Sequence, residues 1–329
     1  MYLRQFQYLI AVAEEGHFGR AAQRCNATQP SLSNGIKQLE LELNTPIFLR
    51  GRGQRLHGFT PEGEQIAKWA RLILANCEGM KDAVNQMHGD LNGELRIGAM
   101  PSMSPLLPLV TQMVRSRYPK VRIIVSFVGH DAMRIGLDNF TLDVAISYMD
   151  NVSIGRRNVL PFYTERFSLL VPDTEEFCER ETISWAEASL LPLAMLKPSM
   201  HERWFVDQAF SKAGVKPQAK VESESILQLM FQVQFAELCT IIPSHFTRFP
   251  GLHPGTKALA LIDPILSREV GLFWAEAETK MPMAEVMVAA IQQLNKTMEL
   301  RSILEDFSRK IPKNLTIASL KKKSSVKAS

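Results

Sequence analysis

The sequence predicts a small, mostly helical head joined by one long helix to an α/β body. Three observations predict it. Residues 1–60 hold short amphipathic runs and then a turn rich in glycine and arginine. Residues 61–88 keep a helical apolar spacing without interruption. From Gly93 onward, short β-rich runs alternate with helical stretches. A chain of 329 residues is also longer than one core usually organises.

Charge divides the chain in the same way. The net charge is +4, but Arg309–Ser329 carries seven Lys/Arg and no acid, which leaves −3 for residues 1–308. Residues 1–60 carry seven Lys/Arg against four Glu, so 61–308 is distinctly acidic. A basic head on an acidic body points to a polyanion that meets the head alone. The tail "LKKKSSVKAS" reads as solvated and disordered, with nonspecific DNA affinity as the alternative.

In the head, Phe6, Leu9, Ile10, Val12 and Ala13 make the apolar stripe of a first helix that Gly16 ends. A short second helix turns Phe18, Ala21, Ala22 and Cys25 inward. Thr28 is a candidate N-cap, Pro30 suits a first helical turn, and Leu32, Ile36, Leu39 and Leu43 form the buried face of a third helix. At about 100° per residue, Pro30, Asn34 and Lys37 fall opposite that face, with Ser31 and Ser33 on its flanks. Together with Gln29, these short polar side chains let a helix lie in a major groove, and Lys37 can reach phosphate. Gly35 costs about 1 kcal/mol against alanine in mid-helix, and reads either as close backbone approach or as tolerance. "IFLRGRGQRLHGFTPEGE" then sets Arg50, Arg52 and Arg55 among glycines. It is a β-wing that can touch phosphates or enter a minor groove, or alternatively a solvated hairpin.

The stretches "FGRAAQRCNATQPSLSNGIKQLE" and "PIFLRGRGQRLHGFTPEGE" resemble the winged helix-turn-helix of LysR-type transcriptional regulators, and the likeness extends through the whole chain in length and layout. Three departures stand out: Cys25 where leucine is usual, Ser31 where alanine is usual, and Asn34-Gly35 in place of a longer polar pair.

The long helix carries Ile66, Ala70, Ile73, Cys77, Met80, Val84 and Met87 at alternating spacings of 4 and 3, the pattern of a coiled-coil seam. It predicts a homodimer. The resemblance implies that this helix pairs two DNA-binding heads and that effector domains pair dimers into a homotetramer. "HGDLNG" at 88–93 reads as a hinge.

Strand-like runs follow at 94–100, 121–128, 143–149, 165–172, 191–196, 220–223, 238–243, 259–262 and 269–275, with helices between most of them. They predict parallel α/β sheets. The resemblance implies two Rossmann-like lobes arranged like a periplasmic binding protein. The expected boundaries are 1–60 for the head, 61–92 for linker helix and hinge, and 93–298 for the effector domain. Lobe I takes 93–162 plus 267–298, and lobe II takes 163–266. Residues 299–329 form a C-terminal helix and the basic tail.

Enzyme chemistry has no positive signal. There is no P-loop, no GxGxxG after a strand, no GxSxG elbow, and no HExxH or paired ligand spacing among the seven histidines. No metal and no cofactor are expected. No apolar run of membrane-spanning length exists, the N-terminus reads as mature protein, and the four scattered cysteines fit a reducing cytoplasm.

In open α/β sheets, ligands sit at the carboxyl ends of strands, often at helix starts. Ser102, Met103 and Ser104 follow the first strand, His130 the second and Met149 the third. Lys197, Ser199, His201, Ser223 and Pro243 stand across the expected cleft. Ser102 and Ser199 read equally as plain N-caps. Helix-start hydroxyls and amides suit a small anion, with Lys197 adding charge. The resemblance implies that these loops bind an inducer. It also implies, for the peroxide-sensing branch, two cysteines in the stretch that here reads "LKPSMHERWFVDQAF" and has none. The expected function is therefore a cytoplasmic, effector-responsive regulator of double-stranded DNA that is not an enzyme. The alternatives are a small-molecule-binding protein without regulatory DNA binding, and a thiol redox sensor.

Overall fold

The computed structural model describes residues 1–50, 56–149, 157–249, 251, 254–276 and 281–297. The side chain of Arg50, together with Arg52, Arg55 and the basic tail, lies outside the described residues.

The head comprises α1 (Leu3–Glu15), α2 (Phe18–Arg24) and α3 (Gln29–Leu43), followed by the antiparallel pair β1 (Phe48–Arg50) and β2 (Leu56–Phe59). Each boundary has a local cause. Gly16 takes a φ of 61° to close α1. His17 caps α2, its Nδ1 accepting from Gly19 N at 3.0 Å. Thr28 caps α3, accepting from Ser31 N at 3.3 Å. Leu9, Val12, Ala21, Leu32 and Leu39 are fully buried where the three helices meet; each large one contributes about 1.5–3 kcal/mol. A Cβ on Gly35 would stand 2.8 Å from Tyr8 Cδ2, so this glycine lets α3 close on the ring of α1.

Helix α4 (Pro61–Met87) leaves the head through a backbone fit that only glycine allows. Thr60 Oγ1 accepts from Gly63 N at 2.9 Å and donates to Pro46 O at 2.7 Å. A Cβ on Gly63 would lie 2.0 Å from Ile47 O. The expected seven-position seam is corrected in its first half. Ala70 is fully buried in the head core, with Ile66 and Ile73 packed beside it, because α4 must first cover α1. The outward apolar face is instead Trp69, Met80, Val84 and Met87, which are 65%, 64%, 47% and 84% exposed.

The body holds β3 (Gly93–Ala99), α5 (Leu107–Arg117), β4 (Val121–Phe127), α6 (His130–Asp138), β5 (Val144–Tyr148) and β6 (Arg157–Pro172). It continues through β7 (Thr182–Ser184), α7 (Trp185–Ala188), β8 (Leu193–Leu196), α8 (His201–Lys212), β9 (Ala219–Ser223), α9 (Ile226–Ala236), β10 (Cys239–Pro243), β11 (Thr256–Ile262), β12 (Ser267–Ala275) and α10 (Pro282–Leu294). The strand order is β4-β3-β5-β12-β6-β10-β8-β9, with β11 pairing β6 and β7. Two lobes share one strand: β6 pairs β12 from Arg157 to Arg166, then β10 and β11 from Phe167 to Pro172.

The expectation of parallel sheets is corrected here. β3, β4 and β5 are parallel, as are β8, β9 and β10, but β6 and β12 run antiparallel to their neighbours. A chain that leaves one lobe, builds the second and returns needs strands running against the rest. The hydrophobic core is continuous across the two, from Leu95 and Ile97 through Phe167 to Trp185 and Phe210.

Candidate functional site

Two surfaces carry the expected chemistry. The first is the outer face of α3. Pro30, Ser31, Ser33, Asn34 and Lys37 are exposed, and Gln29 is half-buried at the helix start. They share one face because Leu32, Ile36 and Leu39 hold the opposite one in the core. The N-terminus of α3, with its positive dipole end, lies beside these side chains. Arg24 and Arg20 are not free for this surface: Arg24 pairs with Glu14 at 2.6 Å, and Arg20 with Glu15 at 3.4 Å.

The second is a cavity of about 640 Å³ between the lobes. Lobe I supplies Met100, Pro101, the segment from Phe127 to Met133, Ser147 and Tyr148; lobe II supplies Ser199 to Glu202 and Glu224. The strand ends place them there: β4 and β5 end at one side, and β8 leads into α8 at the other. An aromatic wall bridges the lobes. The rings of His130 and His201 lie 5.6 Å apart and 12° from parallel, and Tyr148 stacks on His201 at 5.8 Å. Phe205 supports both His201 and Tyr148 edge-on, each at 4.8 Å.

Of the ten residues expected there, His130, Ser199 and His201 line this cavity. The others do not. Ser102 and Met103 are fully buried beneath it, and Met103 Sδ lies 3.5 Å from the Tyr163 hydroxyl. Ser104 donates to Pro101 O at 2.6 Å. Met149 packs over Gly271 of β12. Lys197 pairs with Glu224 at 3.1 Å. Ser223 accepts from Ser225 N at 3.1 Å, and Pro243 is buried in β10. Neither Ser102 nor Ser199 is a cap: α8 starts after Met200, and the one-turn helix at Pro101–Met103 starts after Met100, both without a side-chain cap bond.

A buried polar cluster behind the aromatic wall was not legible in the sequence. Glu165, 1% exposed, accepts hydrogen bonds from Tyr148 and, at 2.8 Å, from Tyr163. His245 Nδ1 stands 3.9 Å from the same carboxyl, and its Nε2 meets Ser102 O at 2.9 Å. Burial pushes Glu165 up to about 8 and His245 down to about 4. Burial also raises Glu202, an effect that its own backbone N–H and then the Ser102 hydroxyl only partly offset. The one signal was a carboxylate in mid-strand: Glu165 interrupts the apolar run "YTERFSLLV".

The anionic effector does not match this wall. No Lys or Arg is among the described lining residues, whereas Asp131, Glu202 and Glu224 are. The physical reason lies in the two helices that start at the cavity. α6 and α8 each carry a carboxylate in the first turn, Asp131 and Glu202. The negative charge that a helix start favours is already supplied by the chain. Among the described residues, no group of His, Cys, Asp and Glu could hold a metal ion, and no helix is long and apolar enough to cross a membrane.

Comparisons with known proteins place this geometry. Residues 3–64 match the profile of the "Bacterial regulatory helix-turn-helix protein, lysR family", and residues 88–296 match the "LysR substrate binding domain". The chain is 28% identical over 296 residues to the DNA-binding transcriptional dual regulator OxyR of Escherichia coli, covering 89% of this chain and 95% of that one. It is 29% identical over 278 residues to a hydrogen peroxide-inducible genes activator of Dickeya chrysanthemi, covering 83% and 89%. A full-length OxyR variant from Pseudomonas aeruginosa superposes with a TM-score of 0.70 at 26% identity over 89% of this chain and 95% of that one. CbnR in complex with its target DNA shares the fold, with a TM-score of 0.61 at 20% identity over 89% and 99%. The chain belongs to the LysR family of DNA-binding transcriptional regulators.

Proposed function

We propose that the head reads operator DNA with Gln29, Pro30, Ser31, Ser33, Asn34 and Lys37 in the major groove, and that a small effector held between the lobes sets how it does so. Arg50, Arg52 and Arg55 belong to the same proposal as phosphate or minor-groove contacts. The observation that carries the effector half is the cavity itself, built from both lobes around the His130–His201 stack. A ligand touching both lobes changes their equilibrium only by binding one arrangement better than the other, with a typical coupling of about 1–3 kcal/mol. The apolar faces of α4 (Trp69, Met80, Val84, Met87) and of α9 (Leu227, Phe231, Phe235) support assembly into a homodimer and then a homotetramer.

The peroxide sensors named among the relatives raise a second reading, thiol chemistry, which this chain's cysteines do not support. None of the four lines the cavity. Cys239 is buried and its thiol is pushed up to about 11, so the nucleophilic thiolate does not form near neutral pH.

The test has two arms. Duplex binding should fall steeply with salt and be specific to an operator selected from random sequences. A thermal-shift screen should yield compounds that stabilise the wild type but not Ser199→Trp, which fills the cavity from an exposed position. Salt-insensitive DNA binding defeats the first half of the reading, and hits that survive Ser199→Trp defeat the second.

A further inference from the structure

The inner wall of the cleft contains one polar atom that the fold leaves without a partner, and a second lies buried beneath that wall. Glu202 is 3% exposed and lines the cavity, yet its Oε1 accepts no hydrogen bond. The Ser102 hydroxyl is fully buried and also unsatisfied; it is near enough to favour the charged form of Glu202, but no hydrogen bond of good geometry joins them. Buried polar atoms are almost always paired, so the orphaned Glu202 Oε1 at the cavity wall marks a place where a partner from outside completes the structure.

The chemistry of the surroundings narrows that partner. An orphaned carboxylate oxygen needs a donor. Among the described residues, no Lys or Arg is paired with Glu202: Lys197 is held by Glu224, Arg203 by Asp207 at 2.8 Å and Glu222 at 2.8 Å. Arg268 lies over the Phe205 ring, 4.4 Å from its centroid. Behind Glu202 stands a second buried carboxyl, Glu165, likewise without Lys or Arg against it among the described residues. Asp131 and Glu224 add negative charge at the rim. The stacked faces of His130, His201 and Tyr148 form the adjoining wall. Aromatic faces carry partial negative charge, so they attract a cation while covering a flat or apolar body.

Resting on the reading of the cleft as the effector site, we infer that the effector is a small amine whose protonated head donates to Glu202 Oε1 and whose planar or apolar body lies along the His130–His201–Tyr148 wall. A carboxylate in the same position would face Glu202 with like charge and leave its Oε1 unsatisfied.

The experiment uses the full chain and three probes that share a ring and a short tether: 2-phenylethylamine, 2-phenylethanol and phenylacetate. Calorimetric titration reads their affinities on wild type, Glu202→Gln, Glu224→Gln and Ser199→Trp. The amine is expected to bind at least tenfold more tightly than the alcohol, with no phenylacetate binding. Glu202→Gln keeps the shape of the wall and should cost the amine tenfold or more while leaving the alcohol within threefold. Glu224→Gln, at the exposed rim, should change amine affinity less than threefold. A melting curve shows that each variant is folded. Phenylacetate or alcohol binding that Ser199→Trp abolishes would overturn the amine and leave the cleft reading standing. Amine affinity unchanged by Glu202→Gln, or no binding of any probe at millimolar concentration, also overturns the inference. Amine binding that persists in Ser199→Trp removes the cleft reading along with it.

Discussion

The outer face of α3 and the interlobe cleft solve opposite problems with polar side chains. On α3, Ser31, Ser33, Asn34 and Lys37 stand in solvent, where an unsatisfied hydroxyl or amide costs little and a nucleic-acid partner can claim it. In the cleft, Glu165, Glu202, Ser102 and His245 are withdrawn from water, where each polar atom must be paired or raises the energy of the folded state. The first surface takes its character from what it exposes, and the second from what it buries. The proposed DNA contacts can therefore be altered with little loss of stability, whereas substitutions among the cleft residues also disturb the fold.

The largest expected effect breaks the second half of that comparison. Phe205 is fully buried and supports His201 and Tyr148. Phe205→Ala should destabilise the body by about 3–5 kcal/mol in urea unfolding. A loss under about 1 kcal/mol would mean that the aromatic wall is not part of the core.

Next comes the pH dependence of stability. Glu165 binds its proton more tightly folded, at about 8, than its ordinary value of 4.5, so its contribution falls as pH rises from about 4.5 to about 8. His245 works the other way: depressed from 6.5 to about 4, it stabilises progressively as pH rises through that range. The two oppose each other below about 6.5, and the fall from Glu165 is unopposed by His245 between about 6.5 and 8, at up to about 1.4 kcal/mol per pH unit. Glu202, also raised by burial, acts in the same direction as Glu165, and Tyr148 and Tyr163 stay protonated up to about pH 8. Unfolding of Glu165→Gln should be flatter than wild type across that window; an equally steep profile would refute the assignment.

Effects on α3 should be of similar size in binding and nearly absent in stability. Gln29→Ala should lose about 1–3 kcal/mol on the operator and little on random duplex, while Lys37→Ala should weaken both and reduce the salt slope by about one. Equal loss on both duplexes for Gln29→Ala would remove its base-reading role. The smallest effect sharpens the boundary between the two kinds of surface. Gly35→Ala gains about 1 kcal/mol of helix propensity and loses roughly 1–3 to the Tyr8 ring, a net destabilisation of about 1 kcal/mol. Repeating it on a Tyr8→Leu background should turn the loss into a gain.

What the sequence revealed follows the same division. The three head helices, the long helix to Met87 and nine strand positions could be read because periodicity and caps such as Thr28 are local. The start of the long helix at Thr60 and Gly63 rests on long-range contacts, the Thr60 bond to Pro46 O and the close fit of Gly63 to Ile47 O, which periodicity does not show. The first half of β6 was missed: Pro161 and polar Asn158, Thr164 and Glu165 interrupt its apolar pattern, and only pairing with β12 makes it a strand. In the cleft, His130, Ser199 and His201 were found because strand ends point there. Glu165 and Glu202 were not, because the sequence shows that a carboxylate exists, not that five separated elements close over it.

The strand shared by both lobes also sets a timetable for synthesis. Lobe I cannot close its sheet with β6 alone, because β12 lies between β5 and β6. β5 ends at Tyr148 and β12 begins at Ser267, with all of lobe II encoded between them. At roughly 5–20 residues per second, a ribosome needs on the order of ten seconds to cover that interval. Throughout it, the emerging chain carries β5 with a bare, apolar edge, the kind of template on which neighbouring nascent chains pair wrongly. Chaperone demand during translation, rather than stability once complete, is where this architecture is most exposed.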